Sequence, residues 1–162
     1  MPLKELQTYL QDHYAGSVAG LEIVTHLIAT HSSAREEQFF VELQQEIEQD
    51  RETLKTILQS VGASAAPLRN STAYFAEKLA RLKVRLEDPG GAQLARLEQI
   101  EALALGIEGK GALWNVLLAI QENAPPLRNI DFARLSQRAN EQHKRVEAQR
   151  IEWAREAFKG LS

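Results

Sequence analysis

Residues 27 to 36 read Leu27-Ile28-Ala29-Thr30-His31-Ser32-Ser33-Ala34-Arg35-Glu36, and this short stretch decides how the chain is organised. Ser33 and Glu36 have the spacing of a capping box, in which a serine hydroxyl and a carboxylate three residues on satisfy exposed backbone N–H groups where a helix starts. A helix therefore opens at Ser33, and the polar residues before it close another. Working backwards, Leu3, Leu6, Leu10, Tyr14, Leu21, Val24 and Ile28 recur at three/four spacing, and Pro2 suits a first helical turn because its missing N–H has no partner there. The spacing predicts a first helix from about Pro2 to Thr30. Working forwards, Phe40, Leu43, Ile47, Leu54, Ile57 and Val61 form the stripe of a second helix, and Gly62 is its natural stop. So short a break between two long helices makes residues 2–62 an antiparallel hairpin.

The same signals recur downstream. Residues 63–88 form a crossover in which Phe75, Leu79, Leu82 and Leu86 mark a short amphipathic helix over about 73–87. Asp88 as N-cap and Pro89 at the first helical position predict a third long helix, carried by Leu97, Ile100, Leu103, Ile107, Trp114 and Leu117 and ending before Pro125-Pro126. A fourth begins near Asp131 with Phe132, Leu135, Ala139, Val146, Trp153 and Ala157 inward. Residues 89–160 are thus a second hairpin, and no strand pattern appears. The expected fold is a single all-α domain over 1–162: a four-helix bundle of two antiparallel hairpins with an extra short helix in the crossover. That crossover is long enough to run the length of the bundle, which would leave the second and third helices parallel. A five-helix up-and-down array is the alternative.

Composition removes several chemistries. Without cysteine there is no disulfide, zinc knuckle, thiolate-held iron–sulfur cluster or nucleophilic thiol. No Gly-rich phosphate loop, Gly-x-Ser-x-Gly elbow or His-Glu-x-x-His occurs. The strongly apolar run from Ala112 to Ile120 is interrupted by Asn115 and is too short to span a bilayer, so no transmembrane segment is expected. The amino terminus shows no secretory signal pattern, and a cytoplasmic location is the expectation. The net charge of −3 argues against a nucleic-acid binder. Residues 1–62 carry four Lys/Arg against ten Asp/Glu, a net −6, whereas 63–162 carry fifteen against twelve, a net +3. Uneven use of solvated faces is the first reading of that asymmetry; docking of the two halves, or of two copies, is the second.

Polar residues at inward positions are the candidate chemistry. If the first turn centres near residues 31 and 32, His13 faces Asp50, with Glu46 one turn away opposite Ser17. In the second hairpin, Gly111 lies opposite His143, with Glu108 and Glu147 about a turn away and Asn115 and Asn140 close by. Buried charges are costly unless paired or bound to metal. The first reading of each layer is therefore a satisfied ion pair that fixes register, and the second a metal or ligand site formed by both layers together. Gly106, Gly109 and Gly111 surround Glu108, and Ala15-Gly16 and Ala19-Gly20 recur in the first helix. Tight crossing or a local bulge accounts for them ahead of a ligand pocket. Trp114 and Trp153 read as core, and His26 and His31 as surface residues. Lys78, Arg81 and Arg85 line the polar side of the crossover helix, whose apolar stripe is expected to cover the bundle rather than a membrane.

The order hairpin, long crossover, hairpin resembles the ferritin-like superfamily, whose di-metal members take a carboxylate from the first and third helices and Glu-x-x-His from the second and fourth. The resemblance covers nearly the whole chain, but the ligand motif is incomplete. The second helix offers Glu46-Ile-Glu-Gln49 or Glu42-Leu-Gln-Gln45, without histidine; the fourth offers Asn140-Glu-Gln-His143, without the first carboxylate; His13 stands where the first helix should supply one, unless Glu22 takes that role. The expectation is a non-enzymatic binding or structural protein, a homodimer. The alternative is a divergent iron- or manganese-binding oxidase or iron/peroxide-handling protein, with His13, Glu46, Asp50, Glu108, His143 and Glu147 as its metal set.

Overall fold

The computed structural model describes residues 2–65, 77 and 91–161. The expectations for the crossover helix, including its apolar stripe and Lys78, Arg81 and Arg85, fall outside those residues. Four long helices carry the described chain: α1 Pro2–Ala29, α2 Ala34–Ser60, α3 Ala92–Ile120 and α4 Phe132–Ala157.

The helix ends follow from local chemistry. The Ser33 hydroxyl accepts from the Glu36 N–H at 3.2 Å, while the Glu36 carboxylate reaches back to the Ser32 N–H and hydroxyl. Gly62 closes α2 with φ +74, and the Ala63 N–H returns to the Leu58 carbonyl; the left-handed turn costs glycine nothing. Asp131 caps α4 through the Arg134 N–H. The Asp88-Pro89 start signal falls outside the described residues; α3 is described from Ala92, with Gly91 at its cap and no side-chain bond there. Its far end passes into two 3-10 turns, Gln121–Asn123 and Pro125–Leu127. The Gln121 amide donates to the carbonyls of Leu127 and Ile130, tying that loop to the helix it leaves.

The core falls into two apolar clusters, and their membership gives the helix directions. One joins the end of α1 (Ala19, Val24, Leu27) to the start of α2 (Phe40, Leu43), the start of α3 (Leu97, Ile100) and the end of α4 (Val146, Trp153). The other joins the start of α1 (Leu10, Tyr14), the end of α2 (Leu54, Ile57), the end of α3 (Leu113, Leu117) and the start of α4 (Phe132, Ala139). Each hairpin is antiparallel, and α2 and α3 run in the same direction. Burying these side chains contributes about 1.5–3 kcal/mol each, which is what holds helices of modest propensity in register.

By length and composition α3, extended to Asn123, could cross a membrane, which the apolar run from Ala112 to Ile120 alone does not reveal. It packs against both α1 and α4, but that packing does not account for all of its apolar residues: Leu94, Leu105, Val116 and Leu118 are exposed.

Candidate functional site

Between the two apolar clusters lies a polar belt. On α2 it falls between Ile47 and Leu54, on α3 between Ile107 and Leu113, and on α4 between Ala139 and Val146; the residues there are Asp50, Lys110 and Gln142. Asp50 is only 3% exposed. Its carboxylate accepts from the Lys110 ammonium at 2.6 Å, the Gln142 amide at 3.2 Å and the Arg138 guanidinium. Lys110 also donates to the Gln142 carbonyl oxygen, so the cluster closes on itself. Burial pushes the Lys110 ammonium below its ordinary lysine value, while the Asp50 charge opposes that shift. A carboxylate so deep is tolerated because every partner is a donor aimed at it.

Sequence reasoning placed a polar layer at Asp50 and gave it the wrong partner. On α1 the level of the belt falls between Tyr14 and Ala19, where the chain supplies Gly16 and Ser17, and the Ser17 hydroxyl is spent on the Tyr14 carbonyl. His13 lies about one turn away. Side chains of a helix lean toward its N-terminus, so in an antiparallel hairpin contacting residues are displaced from those that are merely level. Gln44 accordingly reaches Thr25, Gln7 reaches Val61, and the Arg51 guanidinium lies over the Tyr14 ring. In the second hairpin the pairing is displaced in the opposite sense, which side-chain lean does not explain: Gly111 faces Ala139 rather than His143, and the Asn115 amide oxygen accepts from Ser136. Lys110 and Gln142 did leave a signal, since each interrupts an apolar stripe at three/four spacing; Arg138 left none.

The remaining candidates are dispersed. Glu46 pairs with Arg145 across the α2–α4 seam. Glu147 binds Arg150 in a two-pronged pair at 2.8 and 2.9 Å, which holds its carboxyl below the usual range; the nearby His143 adds to this. Glu108 is exposed, and His143 is half-buried. His13 is half-buried edge-on to Tyr9 at 4.7 Å, and burial lowers its pKa, with Asp12 opposing. Among the described residues no group of three or more His, Asp or Glu is placed to hold a metal ion. His26 is half-buried rather than superficial; His31 is exposed, as read.

A second polar cluster binds the hairpins at the α1–α2 turn end. Glu36 accepts from the Trp153 indole N–H at 2.9 Å and from Arg96 at 2.7 Å, and the Arg96 guanidinium lies 4.1 Å above the Trp153 ring. Burial raises the Glu36 pKa, but the hydrogen bonds from Ser32, Trp153 and Arg96 outweigh it and hold the carboxyl at about 2. Asp50, Glu46 and Glu36 thus all reach cations of the second hairpin, which makes docking of oppositely charged halves the better account of the charge asymmetry.

The α1–α3 seam is built differently. A cleft of about 680 Å³ runs between these helices, lined on α1 from Tyr9 to Ile23, on α3 from Ala102 to Trp114, and at its floor by α2 from Ile47 to Leu54. Gly16, Gly20, Gly106 and Gly109 all line it. A methyl group added at Gly20, Gly106 or Gly109 would meet nothing within 4 Å, whereas one at Gly111 would meet Ala139 at 3.6 Å. Gly111 therefore stands at an ordinary helix contact that a methyl group would fit, and Gly20, Gly106 and Gly109 border open space, so the expected tight crossing accounts for none of the four. Such a cleft lies within the size range of small-molecule sites and is mainly apolar, with few polar groups at one end. No family model, curated protein or solved structure matches this chain.

Proposed function

We propose that this chain is a non-enzymatic, ferritin-like binding protein whose ligand is a small, elongated, mainly apolar molecule seated in the α1–α3 cleft. Two antiparallel hairpins with α2 and α3 running together support the ferritin-like reading of the architecture. One observation carries the functional reading: three mid-helix glycines leave open space within 4 Å of where a side chain would begin, along a cleft of about 680 Å³. Glycine inside a helix costs about 1 kcal/mol against alanine, and nothing in the packing of Gly20, Gly106 or Gly109 requires it. The cleft extends roughly 20 Å along α1 by the helical rise, enough for an acyl or polyene chain lying parallel to the helices. The belt carboxylate beneath it is saturated with donors and so is withdrawn from acid–base chemistry, which favours binding over catalysis.

The test is saturable uptake of diphenylhexatriene, an uncharged rod-shaped fluorophore, by the wild type and by Gly106→Leu. Fluorescence that saturates with the wild type and is lost in a variant of unchanged helical circular dichroism is the expected result. Equal uptake by both proteins, or none by the wild type, would remove the cleft as a binding site.

A further inference from the structure

The two ends of the cleft differ in chemistry. Toward Ile23, Ile47 and Ala102 its lining is apolar; toward the other end stand Tyr9, Asp12, His13, Arg51 and Trp114. Hydrogen-bond accounting at this polar end shows which groups are left for a ligand. Asp50 is consumed by Lys110, Arg138 and Gln142, and Asp12, on the exposed rim, is itself engaged. His13 is kept neutral by burial. No carboxylate of the lining remains for a cationic head group.

Donors do remain. Arg51 is half-buried against Tyr14, 4.6 Å from guanidinium carbon to ring centre, makes no ion pair among the described residues, and has a buried Nε–H without an acceptor. Trp114 is only 1% exposed, and its indole N–H also lacks an acceptor. Buried donors are almost always satisfied in a folded protein; Arg96 Nε, Arg138 Nε and Gln99 Oε1 also lack partners but lie outside the cleft, and what sets Arg51 and Trp114 apart is that both orphaned donors line the same end of one cleft, where an acceptor can be supplied from outside. Both are donors, one is a fixed cation, and the Nε–Nη edge of a guanidinium matches the two oxygens of a carboxylate.

Resting on the cleft as the binding site, we infer that its ligand is a long-chain monocarboxylate, with the carboxylate on Arg51 near the Trp114 N–H and the hydrocarbon chain extending toward Ile23. A single guanidinium balances one negative charge, which favours a carboxylate over a phosphate dianion. Arg51 is on this account a binding residue with no part in any covalent step.

Isothermal titration calorimetry of the full chain with decanoate, 1-decanol, decylamine and decyl phosphate tests the head group separately from the cleft. Decanoate is expected to bind about tenfold or more tightly than decanol, the size of one charge-assisted hydrogen-bonded contact, and to bind more tightly than the amine or the phosphate. Arg51→Gln should erase the preference for acid over alcohol while leaving decanol binding unchanged, and Arg51→Lys should retain part of it. Equal affinity of the wild type for decanoate and decanol, tighter binding of the amine or the phosphate, or a preference that survives Arg51→Gln in a folded protein, would each overturn the carboxylate inference with the cleft intact. Binding of none of the four would remove the cleft reading itself.

Discussion

The α2–α4 seam and the α1–α3 seam join the same two hairpins, and they are made of opposite materials. Across α2–α4, long polar side chains span the gap: Arg138 to Asp50, Arg145 to Glu46, and the Trp153 indole to Glu36. Across α1–α3 the facing residues include Gly16, Gly20, Gly106 and Gly109, and among the described residues no ion pair links the two helices. A bundle can close a seam with reach or with proximity. Here one seam is held by reach, and the other comes close without filling. The lesson is that the ion-paired contacts and the open space are placed on different sides of one core, so each can be altered without the other.

The largest effect should come from cutting the laced seam at its most buried point. Asp50→Ala leaves Lys110 and Arg138 without their common anion, and is expected to cost about 3–5 kcal/mol, read as a fall in the urea midpoint. A cost below about 1 kcal/mol would mean that the belt is solvated and the two seams are not so different. Next is Glu36. Its folded-state pKa of about 2 lies below the ordinary 4.5, so the unfolded chain binds more protons in that interval. Stability therefore rises with pH between about 2 and 4.5, is fully contributed above 4.5, and is lost as pH falls through the folded value. Glu36→Gln should flatten that acid limb and cost roughly 2 kcal/mol at neutral pH through weakened bonds to Arg96 and Trp153; an unchanged acid profile would show that other carboxylates carry it. The smallest effect has the opposite sign. Gly106→Ala and Gly109→Ala on the open seam should each stabilise by up to about 1 kcal/mol, seen as a higher thermal midpoint, because the added methyl group meets nothing. A loss of stability at either position would mean that the cleft is closed in solution.

How much was legible in advance varies with the range of the interaction. The capping box at Ser33, the stop at Gly62 and the cap at Asp131 were readable because each is settled within a few residues of chain, as were the four stripes that make the core. The start of α3 is described from Ala92, with Gly91 at its cap; the Asp88 and Pro89 signal lies outside the described residues. The polar layer at Asp50 was readable as a cost, a charge at an inward position. Its partners were not, because which of several cations meets it depends on how two hairpins slide past one another.

The sequence by itself determined an all-helical chain in two hairpins, with net acidic charge in the first, net basic charge over the rest of the chain and glycines at unfavourable mid-helix positions. Periodicity, capping and net charge are properties of short stretches, and they survive any arrangement of the whole. Only the tertiary structure decided that Lys110, Arg138 and Gln142 surround Asp50, that Gly111 faces Ala139 while Gly20, Gly106 and Gly109 border a cleft, and that Arg51 and Trp114 keep unpaired donors at one end of it. Those outcomes depend on register and on side-chain lean, which a difference of one helical turn is enough to reverse.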